Sequence, residues 1–328
     1  MINKLEKSII STLAYANTKA WPMSLWEIYR YLVSPKRLDG ENSKLDSSFF
    51  GVEKSVLGLL EKNIIEEENG FFFLKSTRLI NKRIERDKIS DLKNKKALKK
   101  LYFLAHFPFI RGVFLSGSLA FGWAKEESDV DVFIVTKHGK IWTARFIVSL
   151  VLLLIGLKRT KNEVQNKICL NHFISENNLM VPLYSMYTAK LYTRIIPIYA
   201  SPGLVKNFIK NNNWVRDYVL HGFGDYYCDS RTKHKSFLLR LVQILLENLI
   251  LIIGLGSILE KALKYFQSKR IKKDPLTYKK GGRVVFSDTQ IELHPESPEV
   301  EMINQYNKTL KKLNLFSFKP EQDSGLRR

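Results

Sequence analysis

The sequence predicts an α+β chain of more than one domain, on three observations. Two runs of β-branched and aromatic residues, Val113–Leu115 and Val132–Val135, lie either side of a Gly-Ser turn and an Asp-x-Asp step. Ahead of them, apolar residues recur at helical spacing in three segments that close on a hairpin. Behind them come a long apolar helix pair and a last amphipathic helix. At 328 residues with 45% hydrophobic content, the chain has enough apolar surface for two or three ordinary cores.

Taken in order, Ile2, Leu5, Ile9, Ile10 and Leu13 share one helical face, and Leu25, Ile28, Tyr29 and Leu32 repeat the pattern. Asp46–Asn63 predicts a third helix with Phe49, Val52, Val56, Leu59 and Leu60 inward. Ile64–Leu74 then reads as a hairpin turning at Asn69-Gly70, because that pair accepts the positive φ angles of a two-residue turn. Three helices and a hairpin resemble a winged helix over residues 1–80. Glu53, Lys54, Glu61 and Lys62 give the third helix no basic stripe, so a contact role is favoured over DNA reading. Lys75–Lys100 holds eleven Lys or Arg against three acids, with Leu79, Ile80, Ile84, Ile89 and Leu92 at helical spacing. That predicts a basic connecting helix, placed at 81–105, with a solvated face or an acidic partner as its two readings.

The stretch from Leu115 to Thr136 carries the chemistry. The apolar run to Leu115 stops at Ser116-Gly117-Ser118, and Leu119–Trp123 resumes as a helix start. Glycine lets backbone approach a ligand closely, and free N–H groups at a helix start attract phosphate. Ten residues separate Ser118 from Asp129-Val130-Asp131, which leads into a buried strand. Residues i and i+2 of a strand project together, so the two carboxylates share a face and repel unless a cation lies between them. Hard oxygen ligands suit Mg²⁺ or Mn²⁺.

Gly-Ser, ten residues and then Asp-x-Asp on a strand resembles the signature of the nucleotidyltransferase superfamily, which includes DNA polymerase beta and small bacterial nucleotidyltransferases. The resemblance spans residues 110–175. It implies a mixed sheet flanked by helices in a domain set at 106–200, with Ser116, Gly117 and Ser118 on a nucleoside triphosphate and Asp129 and Asp131 on two metal ions. The family pattern adds a third carboxylate on a later strand to take the acceptor's proton. In this chain the next strand, Lys167–Ile174, offers Asn171, whose amide can ligate a metal but is a poor base. Glu176, Asp217, Asp225 and Asp229 are the remaining acids to weigh, and His172 is an alternative base. The catalytic candidates are therefore Asp129, Asp131 and Asn171.

After this stretch, Ile141–Leu157 predicts a helix whose twelve-residue apolar run, Phe146–Leu157, is short for a membrane span. Lys140 and Arg145 near its start are candidate cations for the triphosphate, with an ordinary surface role as the other reading. Pro182–Tyr199 reads as helical. Asn211–Asp229 reads as a polar, aromatic loop region suited to lining a cleft. Residues 201–328 form a mostly helical C-terminal region. In it, Phe237–Phe266 reads as a buried helical hairpin broken by Gly254 and Gly256, with a membrane-surface segment as the alternative. Val284–Leu293 resembles a short hairpin, Val300–Leu313 a last amphipathic helix, and Gln322–Arg328 a frayed end.

Lys and Arg exceed Asp and Glu by 53 − 32 = 21, which favours an anionic partner: nucleotide, nucleic acid or an anionic membrane surface. Cys169 and Cys228 are too few for a disulfide framework or a cysteine zinc site and fit a reducing cytosol. The first residues contain no secretory segment, so a cytoplasmic protein is expected. The expected function is a metal-dependent nucleotidyltransferase that moves a nucleoside monophosphate from a triphosphate to an unidentified acceptor, such as a protein hydroxyl, a small molecule or an RNA end. The alternative is a catalytically degenerate nucleotide-sensing or nucleic-acid-binding protein. The sequence leaves the base, the acceptor and the oligomeric state open.

Overall fold

The computed structural model describes residues 2–38, 46–75, 79–223, 237–252, 255–316, 318 and 320–322. The N-terminal unit begins with α1 (Lys4–Asn17), where Asn3 and Glu6 form a reciprocal capping box. Ser24 and Glu27 do the same for α2 (Leu25–Arg30), and Ser48 caps α3 (Phe49–Glu61). The hairpin of β2 (Ile65–Glu68) and β3 (Phe71–Leu74) turns at Asn69 and Gly70, both at positive φ. A two-residue strand, β1 (Met23–Ser24), adds to β3, giving the order β1-β3-β2. Ile9, Ile10, Leu13, Ile28, Val52, Val56 and Leu59 form the core of this unit. The last helix, α11 (Glu299–Leu313), inserts Met302, Ile303, Tyr306 and Leu310 into that same core, so the two ends of the described chain meet.

The basic helix α4 (Ile80–Tyr102) turns part of its charge inward. Arg83 bonds both oxygens of Glu27 at 3.0 Å and Asp87 at 2.8 Å. Lys93 donates to the carbonyl oxygens of Glu126 and, at 3.0 Å, Ser128. Those two bonds tie the loop that carries Asp129 to the helix.

The central sheet contains β4 (Ile110–Leu115), β5 (Val130–Thr136), β6 (Ile168–Ser175), β7 (Ile196–Ala200), β8 (Arg283–Phe286) and β9 (Gln290–His294) in the order β7-β4-β5-β6-β9-β8. It is mixed: β5 and β6 run parallel, and every other pair is antiparallel. Two expectations change here. The segment up to Tyr199 is not one helix: after α7 (Met186–Tyr192), Ile196–Ala200 forms the edge strand, where Pro197 and its missing N–H are tolerated. The hairpin expected in the C-terminal region supplies the two outer strands of this sheet.

Alternation along the strands divides the sheet into two faces. Val130, Val132, Ile134, Ile168, Leu170 and Phe173 join the core under α6 (Ile141–Leu154) and α10 (Leu255–Lys273). Phe133, Val135 and Ile174 join a second core, under α7 and α8 (Pro202–Asn211). Helix α8 and the 3₁₀ turn after it occupy part of the region expected to be a loop. There Asn212 is fully buried and bonds the Val181 N–H and the Leu179 carbonyl, a packing role rather than a cleft-lining one. Helix α9 (Phe237–Ile252) and α10 are not a buried hairpin: they meet at a bend of 86°, and most of the described side chains of α9 face outward.

Candidate active site

The face carrying Phe133 and Ile174 changes character toward the start of β5. Here the sheet presents Asp131, Cys169 and Asn171 in place of apolar side chains. The cause is a register shift. Asp131 pairs with Cys169 but Phe133 pairs with His172, so β6 spends three residues where β5 spends two. The extra residue lets Asn171 and His172 both project to this face, as a β-bulge does. Asn171 Nδ2 donates to Asp131 Oδ1 at 3.1 Å, which puts the amide beside the acid pair.

The Gly-Ser turn meets this cluster from β4. The Ser116 N–H donates to the Asp131 carbonyl at 3.0 Å, and α5 (Gly117–Phe121) starts at once. Gly117 has φ +66°, and a Cβ there would lie 2.0 Å from Asp131 Oδ2. Only glycine fits between turn and carboxylate. The Trp123 N–H donates to the Ser118 carbonyl at 2.9 Å, closing the short helix, and Gly122 at φ +81° ends it.

Ligand atoms of Asp129, Asp131 and Cys169 all lie within 4.8 Å of one another. Burial, and then the charge of Asp129, push the Asp131 carboxyl up to about 7, against the pull of Arg159. Arg159 lies 2.9 Å from Asp129 Oδ2 and 3.2 Å from Cys169 Sγ. Burial, followed by the two carboxylates, raises the Cys169 thiol well above its ordinary range, so it stays protonated. The donor set fits a divalent cation. Two facing carboxylates, one short of compensating charge, supply hard oxygens, while a protonated thiol and an amide add no competing charge.

The other candidates fall elsewhere. Lys140 is buried beyond the far end of β5, donating to the Gly256 carbonyl at 2.6 Å. Five strand steps separate Asp131 from Thr136, roughly 17 Å. Arg145 lies on the α6 face of the sheet, its guanidinium on Gln267 Oε1 at 2.5 Å, and burial and Arg270 push it down to about 10. Neither cation faces the acid pair, because the helix that carries them covers the opposite face. Glu176 sits at the end of β6, accepting from the His138 N–H at 3.2 Å, and cannot serve as the third carboxylate. Asp217 is exposed beside Lys36, and Asp225 and Asp229 lie outside the described residues. His172 is buried, its Nδ1 2.6 Å from the Tyr192 hydroxyl, and burial lowers it to about 4. Its contacts are Tyr192, Gln290 and Phe133, in the interior of the same face. Sequence reasoning missed three neighbours: Arg159, Cys169 and His294, whose Nδ1 is 3.4 Å from Asn171 Nδ2. Alternation from Asn171 back to Cys169 was a usable signal. The approach of Arg159 and His294 depends on tertiary pairing.

Residues 92–177 match the family model of the nucleotidyltransferase domain. This segment is a nucleotidyltransferase domain. The match runs from the middle of α4 through β6 and so contains the Gly-Ser turn, Asp129, Asp131 and Asn171. No curated protein and no solved structure matches the chain. Nucleotidyltransferase domains serve nucleotidyl transfer in general and use a nucleoside triphosphate with divalent metal, and the carboxylate pair lies inside the matched segment.

Proposed function

We propose that the chain is a divalent-metal-dependent nucleotidyltransferase. The observation that carries this reading is the packing of Gly117 against Asp131, which sets the Gly-Ser turn beside a carboxylate pair. In the proposed reaction an acceptor oxygen attacks the α-phosphorus of the triphosphate. A new P–O bond forms, the bond to the β-phosphate bridging oxygen breaks, and pyrophosphate leaves with that electron pair. The backbone of Ser116, Gly117 and Ser118 and the two serine hydroxyls hold the phosphates. Asp129 and Asp131 hold Mg²⁺ or Mn²⁺, which when bound neutralises phosphate charge and acidifies the acceptor hydroxyl.

Asn171 occupies the place of the third carboxylate and works differently. It orients Asp131 by donating a hydrogen bond and cannot take a proton, so the acceptor's proton leaves to solvent or to the acceptor's own surroundings. Arg159 holds Asp129 and offers a cation to the incoming phosphates. The Asn171 amide and the Arg159–Asp129 ion pair also favour a second reading, a nucleotide-binding protein without turnover.

The test separates the two. The full chain is incubated with Mg²⁺ or Mn²⁺ and each α-labelled nucleoside triphosphate, beside an Asp129→Ala, Asp131→Ala variant, and label is followed on the protein and on added RNA. Label transferred by the wild type alone supports the enzyme and names base and acceptor class. Nucleotide binding with no transfer to protein or RNA removes those acceptors and favours the sensor.

A further inference from the structure

Helix α9 is built inside out. Its polar residues Gln243 and Glu247 are buried, whereas Leu241, Val242, Ile244, Leu245, Leu246 and Leu249 are exposed, Leu245 at 66% and Leu249 at 56%. The inward contacts are hydrogen bonds. Gln243 donates to the carbonyls of Phe107 and Ile110 at 2.8 and 3.2 Å. Glu247 accepts from the Phe109 N–H at 2.7 Å and takes both arms of Arg111 at 2.9 and 2.8 Å. A helix that only had to cover the domain would turn its leucines inward. This one is anchored by polar contacts and offers a leucine stripe, Leu241, Leu245 and Leu249, to its surroundings. Ile258, Tyr265 and Phe266 of α10 are exposed as well, and α10 packs against both α9 and α6.

The charge around this helix has one sign. Between Arg231 and Lys273 the chain holds ten Lys or Arg and two carboxylates, Glu247 and Glu260. Both carboxylates point into the protein: Glu247 as above, Glu260 onto the N–H groups of Trp142 and Thr143 at 2.9 Å. Among the described residues of the segment the outward charge is therefore cationic, from Arg240 at the start of the stripe to Lys269, Arg270, Lys272 and Lys273 on α10. With a net charge of +21, a second copy of the chain meets electrostatic repulsion, while an anionic surface is attracted. No single helix among the described residues is long and apolar enough to cross a membrane. Sixteen residues of α9 reach roughly 24 Å, short of the ~30 Å hydrocarbon core.

We infer that the exposed face of α9 seats the protein on an anionic lipid bilayer, lying in the interface with its leucine stripe among the acyl chains and the flanking cations at the headgroups. The inference is independent of catalysis.

The test is sedimentation of the full chain with vesicles of phosphatidylcholine alone and of phosphatidylcholine mixed with phosphatidylglycerol. The chain should bind the mixed vesicles and not the zwitterionic ones. Leu245→Glu with Leu249→Glu should weaken that binding by about tenfold or more. Because both side chains are exposed, the circular dichroism and melting curve should stay unchanged. Leu245→Gln, a milder change, should show a smaller loss in the same direction. Absence of binding to the mixed vesicles overturns the inference, as does binding by the double variant at the wild-type level. Sedimentation velocity without lipid supplies the third overturning result: a wild-type dimer that the double variant abolishes assigns the stripe to a second copy.

Discussion

Replacing Gly117 with alanine tests the packing on which the candidate site depends. Two costs are separable there. The first is backbone: at φ +66° an L-residue pays ~1–2 kcal/mol for the left-handed conformation. The second is contact: a Cβ would meet Asp131 Oδ2 at 2.0 Å and Cγ at 2.7 Å. An overlap of that size moves the carboxylate and loosens its bond from Asn171, for roughly 1–3 kcal/mol more. Gly139 provides the control, since it has φ +65° and nothing within 4 Å of a built Cβ. Gly139→Ala should therefore show the backbone cost alone, and Gly117→Ala should exceed it by about 1–3 kcal/mol in urea denaturation. On an Asp131→Ala background the Oδ2 and Cγ contacts vanish, so the excess should shrink. Transfer activity should fall about 10²-fold in Gly117→Ala, because a reacting group displaced by an ångström is poorly aligned. Equal costs at Gly117 and Gly139 would refute the argument that the turn is packed on the acid.

Three further predictions follow from the charges. The Asp131 carboxyl is raised in the fold from its ordinary 3.8 to about 7 by burial and by Asp129. Between those values the native chain binds more protons than the unfolded one, so metal-free stability should fall as pH rises through that window and level off above it. Thermal melts in chelator should show that slope in the wild type and a flatter curve in Asp131→Asn, with Mg²⁺ raising the melting temperature of the wild type only. Arg283 is buried between Glu292 and Glu299, at 2.8 Å from each, and also bonds Thr188. Arg283→Ala removes this cation from two buried carboxylates and should cost ~3–5 kcal/mol in chemical denaturation. The Arg159–Asp129 pair is partly exposed, worth up to ~1 kcal/mol. Arg159→Ala should tighten Mn²⁺ binding, measured by calorimetry without nucleotide, by up to about fivefold, and weaker Mn²⁺ binding would show that Arg159 supports the acid pair rather than competing for it.

Local signals carried much of the architecture. Patterning located α1, α3, the Asn69-Gly70 hairpin and α11 to within a few residues through their periodic apolar positions, and β5 and β6 as short apolar runs buried on both faces of the sheet. Ile196–Ala200 was misread: a five-residue edge strand following an apolar helical turn has too short a pattern to separate the two periods. The place of the 283–294 hairpin was invisible for another reason, since strand order is set by pairing across more than a hundred residues. The structure brings Asp129, Asp131 and Asn171 together, as local alternation and spacing predict. Lys140 and Arg145 were misassigned because nearness in sequence to a strand does not say which face the next helix covers.

The amide at 171 changes the charge of the cluster more than its shape. With a carboxylate there, three acids would crowd a space in which Asp131 is already pushed up to about 7. With Asn171, and with Arg159 held 2.9 Å from Asp129, the same space contains two acids and one guanidinium, formally −1. Such a cluster tolerates the absence of an ion better than a triple carboxylate would, and Asn171 donates to Asp131 where a third carboxylate would repel it. The gain is electrostatic and the loss is chemical: no side chain at 171 accepts the acceptor's proton. In the proposed reaction the substitution therefore acts on the rate of the chemical step, while recognition of metal and triphosphate rests on Asp129, Asp131 and the turn at Gly117.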